Sequence, residues 1–285
     1  MYEELFLRFG LSEFGLADVR EAFREVGGGV YSHLRYLINS GKALRVGEGR
    51  YMLMHPVEVV CARALRRVAL RFVESVKGME GVLAVFLVGG VADGFGYRCS
   101  DVDLVVVVDD EKRADDVYGV VHWPLDVEVL GLEDFRRELR RDYVLRSRIL
   151  HSKVLLRRGD VQIPGSGLRG NIPVTDWLVE ATVSSVGEAD VHRFWDLLRK
   201  MVFCVAWFER VPATSVPLAM IRLSRKVNEL RGLDVVLRKA MIEGGLDSRR
   251  HFGLLWKFVD FVWGRWARVL GVRRDFLFKL INGLR

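Results

Sequence analysis

The segment VFLVGGVADGFGYRCSDVDLVVVVD, residues 85–109, decides how this chain is read. It begins as an apolar strand running into Gly89-Gly90 and ends as a valine-rich strand entered through Ser100-Asp101-Val102-Asp103. Runs this short and this rich in valine fit strands of a covered sheet rather than buried helices. At Gly89-Gly90 the missing β-carbon lets backbone N–H groups approach an anion closely, and a helical turn starting there would add its dipole. Because strand side chains alternate, Asp101 and Asp103 point to one face. Two carboxylates so placed repel each other and are costly to desolvate; a divalent cation with hard oxygen ligands, such as Mg²⁺, relieves both.

Outward from this segment, strands are expected at 82–88, 102–108, 125–130 and 154–156, with a helix over 132–143. On the 125–130 strand Asp126 and Glu128 share a face opposite Leu125, Val127 and Val129, and either could be a third carboxylate. Three carboxylates on adjacent strands, facing a glycine turn, suit metal-assisted phosphoryl or nucleotidyl transfer. A glycine-rich joint at 164–170 precedes helical patterns at 175–187, 189–209, 215–230, 233–243 and 249–270, so a helical domain closes the chain.

The pattern Gly89-Gly90-x-Ala92-x-Gly94-x5-Ser100-Asp101-x-Asp103 resembles the signature of the DNA polymerase beta-like nucleotidyltransferase superfamily, in particular its small prokaryotic minimal domains. The resemblance covers about residues 81–165. It implies that Gly89 and Gly90 bind the β- and γ-phosphates of a nucleoside triphosphate, ATP foremost. It implies that Asp101 and Asp103 hold two Mg²⁺ ions, with Asp126 completing the site and helping to deprotonate the acceptor hydroxyl; Glu128 is the alternative. Ser100 is expected to cap the turn within the nucleotide-binding set, and Arg98 to reach the triphosphate. Glycine at position 90, where many members carry serine, removes a hydroxyl contact. The acceptor stays open among a protein, a small molecule and an RNA end.

The N-terminal 55 residues read as three helices and a glycine-turned strand pair, 43–46 and 50–53. The stretch YSHLRYLINSGKALRVGEGRYML resembles the recognition helix and wing of a winged helix-turn-helix, and its GRYML end is similar to DNA-binding halves of toxin–antitoxin and phage-defence proteins. That resemblance implies Ser32, Arg35, Arg45 and Arg50 as DNA contacts, with protein docking as the other use. Pro56 then opens an amphipathic helix to Lys77. The expected architecture is therefore α+β: a winged helix (1–55), a connecting helix (56–80), a transferase domain with a mixed sheet (81–165) and a helical domain (166–285).

Composition narrows the classes further. Half of the 285 residues are hydrophobic and 28% are charged, which excludes disorder. No apolar run approaches the ~18–20 residues of a spanning helix, so no membrane partner is expected. Three separated cysteines fit a reducing cytoplasm better than a disulfide framework. One glutamine and four asparagines are a depletion found in heat-adapted proteins. The net charge of +7 is uneven: residues 1–55 sum to zero, whereas 136–158 hold nine Lys/Arg against two acids. That basic run is expected to be a solvated flank or an attractor of triphosphate or a polyanionic acceptor. The aromatic set Phe252, Trp256, Phe258, Phe261, Trp263 and Trp266 is expected in a core or at a homodimer face.

Overall fold

The computed structural model describes residues 2–24, 29–97, 100–159, 161–163, 165, 167, 170–184, 191–271 and 273. Strand pairing divides them into a small antiparallel sheet, a mixed four-stranded sheet and a group of helices.

The first part contains α1 (Tyr2–Phe9), β1 (Glu13–Gly15), α2 (Leu16–Ala22), α3 (Val30–Asn39), β2 (Ala43–Gly47) and β3 (Arg50–Leu53). Its sheet has the order β1-β3-β2, all antiparallel, and closes over a core of Leu5, Phe14, Val19, Leu34, Leu37 and Leu53. The three helices and the strand pair follow the sequence expectation; the three-residue β1 is an addition, formed by pairing with β3. Helix α4 (Pro56–Val76) follows. Pro56 occupies its first turn, and the Glu58 carboxylate accepts from His55 N–H at 2.7 Å.

The second sheet is built from β4 (Val82–Leu87), β5 (Val102–Val108), β6 (Leu125–Gly131) and β7 (Lys153–Arg157), in the order β6-β5-β4-β7. Strands β5 and β6 are parallel; β4 runs antiparallel to both β5 and β7. Alternation sends Val85, Leu87, Leu104 and Val106 to one face, under Phe72 and Val73 of α4 and Val117 of α6 (Ala114–Tyr118). It sends Ala84, Phe86, Val105 and Val107 to the other, under Phe135 and Leu139 of α7 (Leu132–Arg141) and Leu145 and Ile149 of α8 (Tyr143–Leu150). Both faces are covered, which accounts for the near-continuous valine run of β5. The expected single helix over 132–143 ends instead at Asp142. Its carboxylate accepts from the N–H groups of Val144 (2.6 Å) and Leu145 (3.2 Å) and starts α8.

The last part is helical: α9 (Val174–Ser184), α10 (Val191–Phe208), α11 (Val216–Lys226), α12 (Leu233–Glu243) and α13 (Ser248–Leu270). Helix α10 runs through the middle of this core, its Leu197, Leu198, Met201, Val202 and Val205 fully buried. Of the C-terminal aromatic set, Phe258 and Trp263 lie in the core, Phe261 and Trp266 pack on it, and Phe252 stacks on Trp256 at the surface. Among the described residues, no helix is long and apolar enough to cross a membrane.

Two buried polar junctions are among those that bind the parts together. Tyr143, the first residue of α8, donates to the carbonyl oxygens of Ala206 (3.1 Å) and Val211 beyond α10. The second is the fully buried ion pair of Glu58 on α4 and Arg238 on α12, closed by two contacts of 2.6 and 3.0 Å. Tyr97 also donates to Glu58 at 3.0 Å, and Arg238 donates to the Leu53 carbonyl at 3.0 Å. One guanidinium thus joins the small sheet, the connecting helix, the loop before Asp101 and the helical part.

Candidate active site

The turn after β4 is tightly packed. Gly89 has φ +67° and begins the short α5 (Gly89–Asp93); a β-carbon there would fall 1.8 Å from Asp103 Oδ2. Only glycine meets both demands, the left-handed backbone and the carboxylate pressed against it. Gly90 has ordinary dihedrals, and a β-carbon there would meet the Phe95 carbonyl at 3.3 Å. Helix α5 is clamped from two sides. From α4, Arg66 donates to the carbonyls of Val91 (3.0 Å) and Ala92 (3.3 Å). Before α11, Thr214 and Ser215 donate to the Asp93 carboxylate at 2.8 and 2.6 Å. Burial raises the Asp93 pKa above the usual carboxylate range, while these hydroxyls and the Arg222 and Lys153 charges pull it down.

Asp103 on β5 is the parallel partner of Asp126 on β6, and Asp101 precedes β5 by one residue. The three carboxylates and the glycine turn line one cleft of about 640 Å³, a size suited to a small-molecule ligand. Burial pushes the Asp103 pKa up to about 6; the Arg148 guanidinium opposes this, and the Asp101 and Asp126 charges add to it. Partial desolvation and the Asp126 charge likewise raise Asp101. Ser100 caps the preceding turn by accepting from Tyr97 N–H at 3.0 Å, and it lines the cleft.

Glu128 stands two residues beyond Asp126 and does not line the cleft. Its partner is Arg148 of α8, at 3.5 Å, and the same guanidinium lies 3.8 Å from Asp103. Arg148 therefore lies between a cleft carboxylate and an outer one. Among the described residues no three acidic, histidine or cysteine side chains close into a metal cage. Arg98 lies outside the described residues.

The opposite wall of the cleft comes from the helical part: Trp177 of α9, and Trp195, Arg199, Lys200 and Phe203 of α10. Arg199 is near enough for its charge to act on both Asp101 and Asp103. Lys200 is held by Glu180 and Asp196, both at 2.9 Å. Sequence reasoning missed this wall. Its residues sit on amphipathic helices with no local motif, and nothing in their spacing ties them to an aspartate site some 70–100 positions earlier.

The four residues expected to contact DNA are all exposed. Ser32 and Arg35 are exposed on α3. Arg45 is exposed on β2 and donates to its neighbour Gly47, whereas Arg50 lies 3.7 Å from Glu13. The tip of the β2–β3 ribbon is also occupied: Arg225 of α11 pairs with Glu13 at 3.0 Å and donates to the Val46 carbonyl.

Residues 69–157 match the family described as Nucleotidyltransferase domain. The matched stretch runs from mid-α4 to the end of β7 and contains the glycine turn and all four acidic positions. It accounts for less than a third of the chain. No curated protein matches the chain as a relative. Transfer of a nucleotidyl group is the general chemistry this match points to, with a nucleotide as substrate.

Proposed function

We propose that the chain is a Mg²⁺-dependent nucleotidyltransferase that moves a nucleoside monophosphate from a triphosphate, ATP foremost, to an acceptor hydroxyl. The observation that carries this reading is that Asp101, Asp103 and Asp126 all line one cleft, with Asp103 pressed against Gly89. The donor set fits a hard divalent cation: all three groups offer carboxylate oxygens, and their raised pKa values at Asp101 and Asp103 express repulsion and desolvation that a cation relieves. Asp101, Asp103 and Asp126 would hold two Mg²⁺ ions, which when bound supply charge neutralisation for the triphosphate.

The residues of the chain then have distinct tasks. The backbone at Gly89 and Gly90 leaves room for phosphate oxygens to approach. Asp126 accepts the proton of the acceptor hydroxyl as its oxygen bonds to the α-phosphorus. The bond from that phosphorus to the bridging oxygen breaks, and pyrophosphate leaves with the electron pair. Arg199 faces the aspartates from the helical wall and stabilises the charge gathering on pyrophosphate. Register supports Asp126 over Glu128 as the third acid, since Asp126 is opposite Asp103 while Glu128 is paired with Arg148. Incubation with triphosphates labelled at the α-phosphate and a cell lysate tests the reading. Label is expected in an acceptor only with Mg²⁺ present, and no transfer from any of the common triphosphates would overturn it.

A winged-helix DNA-binding regulator that senses nucleotide is the second reading, favoured by the helix order and the β1-β3-β2 sheet of the first part. The ribbon tip held by Arg225 weighs against it, because a wing so engaged has less freedom to reach phosphates.

A further inference from the structure

The basic run 136–158 separates into residues with different work. Arg146 donates to the carbonyls of Leu139, Gly165 and Gly167, and Arg158 to that of Lys77. Those side chains hold the fold. Four arginines of α7 are different. Arg136, Arg137, Arg140 and Arg141 line, with Glu133, a second hollow of about 250 Å³ outside the cleft. Arg141 lines both hollows.

Arg136 is paired with Glu133 at 2.7 Å and Arg137 with Asp134, both at the surface, where such pairs contribute little and exchange readily. The guanidinium groups of Arg140 and Arg141 are exposed and carry no ion pair or hydrogen bond among the described residues. Arg136 and Arg140 lie one helical turn apart, as do Arg137 and Arg141, a rise of about 6 Å that suits successive phosphates of an extended strand. Past Arg141, Arg148 and Arg199 line the cleft towards the aspartates, Arg148 beside Asp103 and Glu128 and Arg199 paired with Asp196 at 2.9 Å. Trp177 and Trp195 line the same cleft, half-buried and packed in part on the helical core, and an entering base would meet their rings.

We infer that the acceptor hydroxyl belongs to a single-stranded nucleic acid, whose phosphates follow α7 and whose terminal nucleotide enters the cleft past Arg141. The inference rests on the transferase reading and names its acceptor. A small anionic acceptor would have no use for the outer arginines, and an acidic protein segment would leave the tryptophan faces without a ring to stack. In the step itself the terminal hydroxyl oxygen bonds to the α-phosphorus. Its proton passes to a cleft carboxylate, and the broken phosphoanhydride bond releases pyrophosphate, so the strand grows by one nucleotide.

The test is fluorescence anisotropy of a labelled single-stranded RNA oligonucleotide with a free 3′ hydroxyl, titrated over a salt series. The variant R136Q/R140Q removes two charges outside the cleft. Its affinity should fall about tenfold or more, and the log–log salt slope should shrink by about 1.4, the share of two phosphate contacts on a single strand. R136K/R140K keeps the charge and should bind as the wild type does, which separates lost charge from lost fold. The inference is overturned if wild type does not bind the RNA, if R136Q/R140Q binds equally well, or if polyglutamate competes as well as unlabelled RNA. Calorimetry of Mg-ATP on the same proteins keeps the two readings apart. RNA failure with ATP binding intact strikes the acceptor alone, whereas absent ATP binding strikes the transferase reading.

Discussion

The Asp103 carboxylate lies so close to Gly89 that a β-carbon at residue 89 would sit 1.8 Å from its Oδ2. The glycine turn and the central acid of the cleft are one packed unit, and a change at either disturbs the other.

Gly89→Ala should therefore lose stability and activity together. The positive φ alone costs about 1 kcal/mol or more, and the clash must displace backbone or the Asp103 side chain. Gly90→Ala, at ordinary φ with 3.3 Å to the Phe95 carbonyl, should melt closer to wild type. Thermal melts and Mg-ATP titrations of the two variants check this. Equal tolerance at both positions would show that the turn relaxes more easily than its geometry implies.

The Glu58–Arg238 pair sets a second expectation. Both side chains are fully buried, so Glu58→Ala should cost about 3–5 kcal/mol by leaving an uncompensated guanidinium. The double variant E58L/R238M, which removes both charges, should recover much of that loss in urea denaturation. Tyr97 donates to Glu58 and also lines the cleft, so E58A should weaken Mg-ATP binding as well. Unchanged binding would mean that the loop before Asp101 holds its shape without this anchor.

The centre of the four-stranded sheet was legible in sequence because its signals are local. The apolar run, Gly89-Gly90, and the alternating Asp101 and Asp103 all fall between Val82 and Asp103, and the strands around them fall where valine periodicity puts them. What escaped depends on distant partners. Strand β1 has only three residues and exists through pairing with β3, nearly forty positions later. Helix α8 was hidden within a segment read by its charge, although Asp142 is an ordinary N-cap residue. Asp93 looked like a spacer until Thr214 and Ser215 folded onto it, and the Arg225 contact that engages the β2–β3 ribbon is separated from it by about 180 positions. The net +7 carried little information until its arginines were divided between carbonyls, carboxylates and solvent.

Asp103 also predicts a pH signature in the metal-free protein. Its folded pKa of about 6 stands above the ordinary 3.8 because burial disfavours the charged form. A carboxyl raised on folding adds stability that is fully present below its unfolded pKa. That contribution is lost as pH rises from about 3.8 through about 6. In EDTA, Asp103→Asn should thus equal or exceed wild type in melting temperature above pH 6, and the difference should shrink or reverse towards pH 4. Mg²⁺ should stabilise wild type more as pH rises through the same window, since protons compete for the same oxygens. A difference that stays flat with pH would contradict the assignment.

The two acids of β6 are separable. Asp126→Asn should lower transfer about a hundredfold or more, the scale of a lost general base. Glu128→Gln should leave the chemistry largely intact and act through Arg148, which loses one of its two carboxylate partners. Steady-state pyrophosphate release measures both, and the opposite ranking would make Glu128 the third acid.

The most direct measurement is release of labelled pyrophosphate and incorporation of α-labelled nucleotide in parallel, for wild type and Asp103→Asn, with and without Mg²⁺. Equal amounts of both products from wild type with Mg²⁺, and neither from the variant or without the metal, are predicted. Release of inorganic phosphate in place of pyrophosphate, or undiminished transfer by Asp103→Asn, would contradict nucleotidyl transfer at this cleft.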